Sequence, residues 1–355
     1  MGIVGALDVH RRQVTFRMLD TETGELRRGR IRPVTRQSVR EWLERFAGTD
    51  AHFVLEATTG WRFVVEEIER VGCVAHLAET VETAAARGRK RRAKTDDADC
   101  YLMLKLLVEG RLPEAWIPPW HIVELRTRVR LRQALADERH EWLQRIHAQL
   151  FHQGVRRGIA LRTAAGRALV CEVELSPAGR AVICQGLEMV DYLNAQLVGL
   201  QAELRAYARR QAGCRALQAL FGVGELTSVA ILAELGDCRR FSSSDDAVRH
   251  SGLDVTVWES DGRRSRGHLA RQGPPVLRWA LYEAAQSAAR PASPDHAYYL
   301  QVKARIDHQR ASLAIARKLC RRSYHILREL GDQALSPISE PAPAAVAGRV
   351  LAQAA

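Results

Sequence analysis

Four carboxylates stand where they could hold metal ions: Asp8 in Leu7-Asp8-Val9-His10, Glu56 in Val54-Leu55-Glu56-Ala57, and Asp96 and Asp99 in Lys94-Thr95-Asp96-Asp97-Ala98-Asp99. Asp8 and Glu56 end apolar, β-rich runs, Gly2 to Asp8 and His52 to Glu56. A charge at the inner end of a buried strand costs free energy unless something compensates it. A hard divalent cation is a common compensation, because it wants carboxylate oxygens. Two such cations clamp the attacking and leaving oxygens of a phosphodiester. The chain is strongly basic, so an acidic cluster inside it points to metal-dependent chemistry on nucleic acid, with Mg²⁺ or Mn²⁺ as the cofactor. By helical spacing Asp96 and Asp99 share a face and Asp97 does not. Acids at a helix start also suit the helix dipole without any metal.

The elements that must carry these acids can be read from periodicity. Ile3 to Asp8 is strand-like. Gln13 to Leu19 alternates at period two, Leu26 to Ile31 is a weaker and mostly polar candidate, and Asp20 to Gly24 turns between them. Ser38 to Phe46 reads as a helix, with Val39, Trp42, Leu43 and Phe46 at 3–4 spacing. A strand at His52–Glu56, a helix near Trp61–Val71, a strand at Cys73–Leu77 and a helix at Asp97–Val108 follow. Three strands, a helix, then alternating strand and helix fits an RNase-H-like α/β fold. In that fold acids from strand one, strand four and a late helix converge on one metal site. Trp61 reads as a core residue. His10, His140 and His147 read as surface or RNA-facing residues rather than metal ligands.

The rest reads as all-α. Residues 121–153 form one long helix carrying Arg126, Arg128, Arg130 and Arg132 early. Residues 187–210 form a second, where Val190, Leu193, Leu197, Leu200, Leu204 and Tyr207 make a heptad seam about three heptads long. That length suits an antiparallel hairpin or an intersubunit coil. The stretch Val155 to Gly179 is expected to be helical. Leu220 to Gly236 resembles a helix-hairpin-helix, in which Gly222 and Gly224 would offer backbone N–H groups to a phosphate. A basic loop, Glu259 to His268, comes next. Helices over Pro275–Ala288 and Tyr298–Leu330 close the chain, and Ser336 to Ala355 is Pro/Ala-rich and expected to be disordered.

Length and charge bound the reading. The 355 residues suit about two domains by the usual span of roughly 100–200 residues each. The net charge of +12 favours a polyanionic partner, DNA or RNA first. No run of about 18 apolar residues exists and the N-terminus lacks a signal-peptide layout, so no membrane is expected and the protein is read as cytoplasmic. Seven scattered cysteines without a C-x-x-C give neither a zinc site nor a disulfide framework. The run Arg87-Gly88-Arg89-Lys90-Arg91-Arg92-Ala93-Lys94 is the densest charge cluster. Such runs are ordinarily solvated loops, and this one's place just ahead of Asp96 points to phosphate contact as well. With Arg87, Arg89, Lys90, Arg91, Arg92 and Lys94, the candidate nucleic-acid contacts are Arg126, Arg130, Gly222, Gly224, Arg263, Arg264 and Arg266.

Taken in order, these segments resemble the DEDD transposases of the IS110 family of insertion sequences, over roughly residues 3–330. The N-terminal pattern is an Asp on strand one, a Glu before a Thr-Gly-aromatic turn, and Thr-Asp-x-x-Asp opening a helix. Here these are Asp8, Glu56 before Thr59-Gly60-Trp61, and Thr95-Asp96 to Asp99. The C-terminal pattern is matched by Phe221-Gly222-Val223-Gly224, Gly252-Leu253, Glu259-Ser260-Asp261-Gly262, Arg266-Gly267-His268, Leu277-Arg278 and Ala284-Ala285. Phe221 stands where the family has Pro. Glu259 to Gly262 stands for the family's Ser-Ser-Gly-Gly, which keeps Ser260 in register, with Ser265 the other serine of the stretch.

The resemblance implies a bridge-RNA-guided serine recombinase. Asp8, Glu56, Asp96 and Asp99 would hold Mg²⁺, and Ser260 would be the nucleophile. Donor and target double-stranded DNA and a guide RNA would be partners. The protein would be a homotetramer in which one subunit's serine domain completes another's carboxylate site. It implies a RuvC-like catalytic domain at 1–115, a helical coiled-coil region at 116–212, a serine transposase domain at 213–332 and a tail at 333–355. The rival readings are a metal-dependent junction nuclease of the same fold, using water, and a non-catalytic nucleic-acid-binding remnant.

Overall fold

The structure is a computed structural model and describes residues 2–87, 95–155, 158–260 and 263–338, leaving aside the side chains of 257–266. It divides into two compact units, Met1–Ile117 and Pro118–Ala355.

The first unit is an α/β layer. Strands β1 (Ile3–Val9), β2 (Val14–Asp20) and β3 (Leu26–Ile31) form a meander, followed by α1 (Arg36–Leu43), which runs on as a 3₁₀ turn to Phe46. Then come β4 (Ala51–Glu56), α2 (Trp61–Arg70), β5 (Val74–Ala78), α3 (Thr80–Ala85) and α4 (Asp96–Val108). The sheet order is β3-β2-β1-β4-β5. β1 runs antiparallel to β2 and parallel to β4, and β4 runs parallel to β5. Helix α1 starts three residues before the periodic run because Thr35 caps it, accepting from the Ser38 N–H.

Strand alternation assigns the two faces. Leu7, Phe53 and Leu55 pack with Trp42, Phe46 and Ile68 on the α1–α2 side, and Trp61 joins this core. Val4, Ala6 and Val54 pack with Cys100, Met103, Leu104 and Leu107 of α4 on the other. Asp8 and Glu56 follow Ala6 and Val54 by two, so both belong to the α4 side. Buried Glu67 binds Arg36 and Arg40 at 3.0 and 2.7 Å and so ties α2 to α1.

The second unit is helical: α5 (Trp120–His152), α6 (Ala164–Glu172), α7 (Pro177–Arg210), α8 (Ala212–Leu217), α9 (Glu225–Leu235) and α10 (Ser244–Ser251). A two-stranded sheet, β6 (Val255–Ser260) and β7 (Arg263–Leu269), precedes α11 (Pro275–Ala285), α12 (His296–Arg305) and α13 (His308–Leu330). Helices α5 and α7 form an antiparallel hairpin: Arg139 bonds Asn194 at 3.0 Å, Ile146 fills the space over Gly186, and Gln153 meets Gly179. Val190, Leu193, Leu197 and Leu204 of the heptad seam are buried within it. Helix α9 is buried from Thr227 through Leu235, mostly apolar residues with the buried Glu234 carboxylate among them.

Four expectations change. The segment Glu259 to His268 is not a loop: it spans the end of β6 and most of β7, with Ser260 paired to Arg263 and Trp258 to Ser265. The Asp261-Gly262 dipeptide between them is the strongest short hairpin signal, masked in the sequence by the arginines around it. The closing helix is two, α12 and α13, because Asp307 caps a new start by accepting from the Arg310 N–H. Helix α7 begins ten residues before the expected start at 187, where Ser176 caps Pro177 at the first turn. Between Val155 and Gly179 only α6 and the first turn of α7 are helical among the described residues. The expected disordered tail lies outside the described residues from 339 onward.

Candidate carboxylate metal centre and nucleic-acid interface

Asp8 is the next-to-last residue of β1 and Glu56 the last of β4. These strands are parallel neighbours in the register Leu7↔Leu55, so the two acids emerge side by side. Thr95 caps α4 by accepting from the Ala98 N–H, which puts Asp96 and Asp99 in its first turn. Gly60, at φ +97, makes the turn after Glu56, and a Cβ there would press on Val9 at 3.2 Å. All four acids line one pocket of about 440 Å³, together with His10, Arg11, Thr58, Thr59 and Thr95.

The electrostatics suit a cation. Burial pushes the Asp8 carboxyl above its ordinary range, His10 partly offsets this, and the charges of Asp96 and Asp99 push the same way as burial. His10 Nε2 stands 3.1 Å from Asp8 Oδ2 and 3.6 Å from Asp96 Oδ1. Ligand atoms of Asp8, His10 and Asp96 all lie within 4.8 Å of one another. Asp99 is ion-paired with Arg87. A charge-rich, oxygen-dominated donor set of this kind fits a divalent cation.

Supports for the acids escaped sequence reasoning. Gln13 donates to Asp96 at 3.3 Å and accepts from Arg32. Arg17 grips Asp97 with a fork, Nε to Oδ1 at 3.2 Å and Nη2 to Oδ2 at 2.8 Å, and Arg28 adds a contact at 3.7 Å. Asp97, off the pocket face, thus ties the start of α4 to β2. The one readable signal was His10 itself, two residues beyond Asp8.

The other candidates are dispersed. Arg89, Lys90, Arg91, Arg92 and Lys94 lie outside the described residues. So do the side chains of Ser260, Arg263, Arg264 and Arg266, whose backbone belongs to β6 and β7. Arg126 and Arg130 are turned onto α9. Arg126 donates to the carbonyls of Ala233 and Glu234, and Arg130 forks onto the carboxylate of buried Glu234 at 2.8 and 2.9 Å. His250 and Arg240 reach the Glu234 and Leu235 carbonyls, so two arginine cations, Arg126 and Arg240, and a neutral imidazole close the C-terminus of α9. Burial pushes Arg126 and Arg240 down to about 10 and His250 down to about 4. Glu234→Ala strands Arg126 without its anion, and we expect about 3–5 kcal/mol of lost stability in urea unfolding.

Gly222 and Gly224 open onto a pocket of about 430 Å³ that also bears Arg205, Ser287 and Arg290. The Gly224 N–H already bonds Thr227 Oγ1 at 2.9 Å. Gly222 has φ +90, and a Cβ would lie 2.0 Å from Ser287 Oγ and 2.4 Å from the Ala284 carbonyl oxygen. Gly222→Ala should therefore cost about 2–4 kcal/mol, from left-handed strain plus overpacking, read as a lowered denaturation midpoint.

A β3-β2-β1-β4-β5 sheet with acids at the ends of β1 and β4 and at the start of a following helix defines an RNase-H-like unit. The DEDD transposase model of the IS110 group matches residues 5–152, and that of the IS116/IS110/IS902 transposase family matches residues 214–300. Both matches are to transposase models of the IS110 group, one on each side of α7. A Sinorhizobium fredii protein named "Putative transposase y4rJ" is 27% identical over 247 residues, 61% of this chain and 60% of that protein. The transposase for insertion sequence element IS1328 of Yersinia enterocolitica is 23% identical over 242 residues, 65% of this chain and 69% of its own. An insertion element IS116 protein of Streptomyces clavuligerus is 23% identical over 138 residues, 39% of this chain and 35% of its own. The chain thus spans less than two thirds of the first of these relatives. Among the described residues no helix is long and apolar enough to cross a membrane.

Proposed function

We propose that this chain is an insertion-sequence transposase that cuts and rejoins DNA. The observation that carries the reading is the single pocket lined by Asp8, Glu56, Asp96 and Asp99 in a chain that matches transposase family models. Mg²⁺ or Mn²⁺ held there would polarise the scissile phosphate and stabilise a leaving oxygen. Ser260 is the nucleophile in this reading. Its oxygen displaces one ester oxygen at phosphorus, leaving a phosphoserine link and a free DNA hydroxyl, and a hydroxyl from another strand reverses the step. Arg263, Arg264 and Arg266 neighbour it in sequence and would pair with non-bridging oxygens. The pocket beside Gly222 and Gly224 is a further phosphate contact through Arg205 and Arg290, since the Gly224 N–H is taken by Thr227.

A structured RNA selects the sites, and a tetramer brings serine and carboxylates together. The +12 charge supports a polyanionic partner of this kind. The test is recombination of paired donor and target DNA by the purified full chain with the RNA it retains. A discrete RNA of its own locus and rejoined products are expected. Only random cellular RNA, after nuclease and high-salt controls, together with no rejoining, would sink the proposal. A second reading, a metal-dependent nuclease using water, is favoured by one observation: the carboxylate pocket is complete within the first unit. Metal-dependent cleavage without any protein–DNA link would select it.

A further inference from the structure

His10 is not one of the four acids, yet its geometry is that of a ligand. In an octahedral sphere with bonds of about 2.1 Å, adjacent donor atoms stand about 3.0 Å apart and opposite ones about 4.2 Å apart. His10 Nε2 lies 3.1 Å from Asp8 Oδ2 and 3.6 Å from Asp96 Oδ1. The three residues offer donor atoms all within 4.8 Å of one another. One cation placed among them would meet two carboxylate oxygens and one imidazole nitrogen with little side-chain movement. Glu56 and Asp99 line the same pocket outside this triplet.

We propose that His10 is a nitrogen ligand of the ion shared by Asp8 and Asp96, and that it turns this position towards Mn²⁺ and away from Mg²⁺. The inference rests on the metal-dependent reading of the pocket. An all-oxygen site suits Mg²⁺, whereas imidazole favours the first-row transition ions, among which Mn²⁺ also accepts carboxylates readily. Mg²⁺ further demands near-ideal octahedral geometry and gives up its water reluctantly. His10 sits just past the end of β1, and its side chain is 55% exposed. Its ring can therefore adjust to the ion without disturbing the core. The competing use of the ring is as a plain hydrogen-bond partner of Asp8, which an arriving cation would displace.

The two uses separate in the Mn²⁺-loaded full-length protein without any assay of activity. Pulsed electron paramagnetic resonance should show a ¹⁴N coupling to Mn²⁺ that changes on ¹⁵N-histidine labelling and vanishes in His10→Ala. By calorimetry, His10→Ala should weaken Mn²⁺ binding by about tenfold or more, as loss of a metal-site partner does, while Mg²⁺ binding shifts less than about threefold on the same scale. His10→Asp, which restores an oxygen donor, should keep Mg²⁺ binding and lose the nitrogen coupling. Mn²⁺ that binds, depends on Asp8 and shows no nitrogen coupling overturns the role of His10 and leaves the carboxylate site standing. Mn²⁺ binding indifferent to both His10→Ala and Asp8→Asn overturns the metal reading itself. Thermal melts of each variant confirm that a folded protein was measured.

Discussion

Asp8→Asn is expected to abolish strand cleavage, by at least about 10³-fold, and to raise the melting temperature of the metal-free protein. The two effects share one cause. Asp8 is placed by β1 among Asp96 and Asp99, and burial raises its carboxyl pKa first of all. A carboxyl whose folded pKa lies above its unfolded value binds protons more readily in the folded state. Stability then falls as pH rises from the ordinary value of 3.8 through the folded one, and the penalty is complete above it. Asparagine removes that penalty, so its advantage is greatest near neutral pH and fades in acid. A divalent cation should invert the order, because it stabilises only the protein that binds it. Differential scanning fluorimetry with and without Mg²⁺ or Mn²⁺, at neutral and acid pH, reads all four conditions. An Asp8→Asn protein that cleaves normally, or melts identically in every condition, would remove the pocket from the mechanism.

Ser260→Ala should lose the covalent DNA adduct and at least about 10³-fold in strand exchange, with DNA and RNA binding retained. Ser260 ends β6 and pairs with Arg263, so the change takes one hydroxyl from the end of a strand and leaves the ladder intact. Ser265 pairs with Trp258 further along the same ladder, and Ser265→Ala should keep activity. Denaturing electrophoresis of a trapped, labelled substrate followed by peptide mapping distinguishes them. An adduct on Ser265 would move the nucleophile by five residues. Efficient cleavage with no adduct would make water the nucleophile.

The α/β unit was legible because its signals are local. A short apolar run ending in an acid announces both a strand and its functional end, as Ile3 to Asp8 and His52 to Glu56 do. Even the polar edge strand Leu26–Ile31 was found, since the turn before it and its pairing with β2 need no tertiary knowledge. Helix starts were less legible where the cap precedes the apolar pattern, as Ser176 does for α7. The β6–β7 hairpin reads as a basic loop in the sequence because its charge outweighs its turn chemistry. Least legible were the partners of arginines. Arg126 and Arg130 look alike on a helical wheel, but only the fold shows that Glu234, more than a hundred residues away, takes both. The same holds at the site, where Gln13, just ahead of β2, and Arg17 on it reach α4 from 83 and 80 residues earlier.

Asp97 contributes no oxygen to the pocket, yet its fork with Arg17 locks the first turn of α4 against the sheet before any ion arrives. Ion uptake then has little chain to order and little apolar surface to hide. Calorimetrically this means a heat-capacity change near zero, the signature of a preassembled receptor rather than of a segment that folds around its ligand.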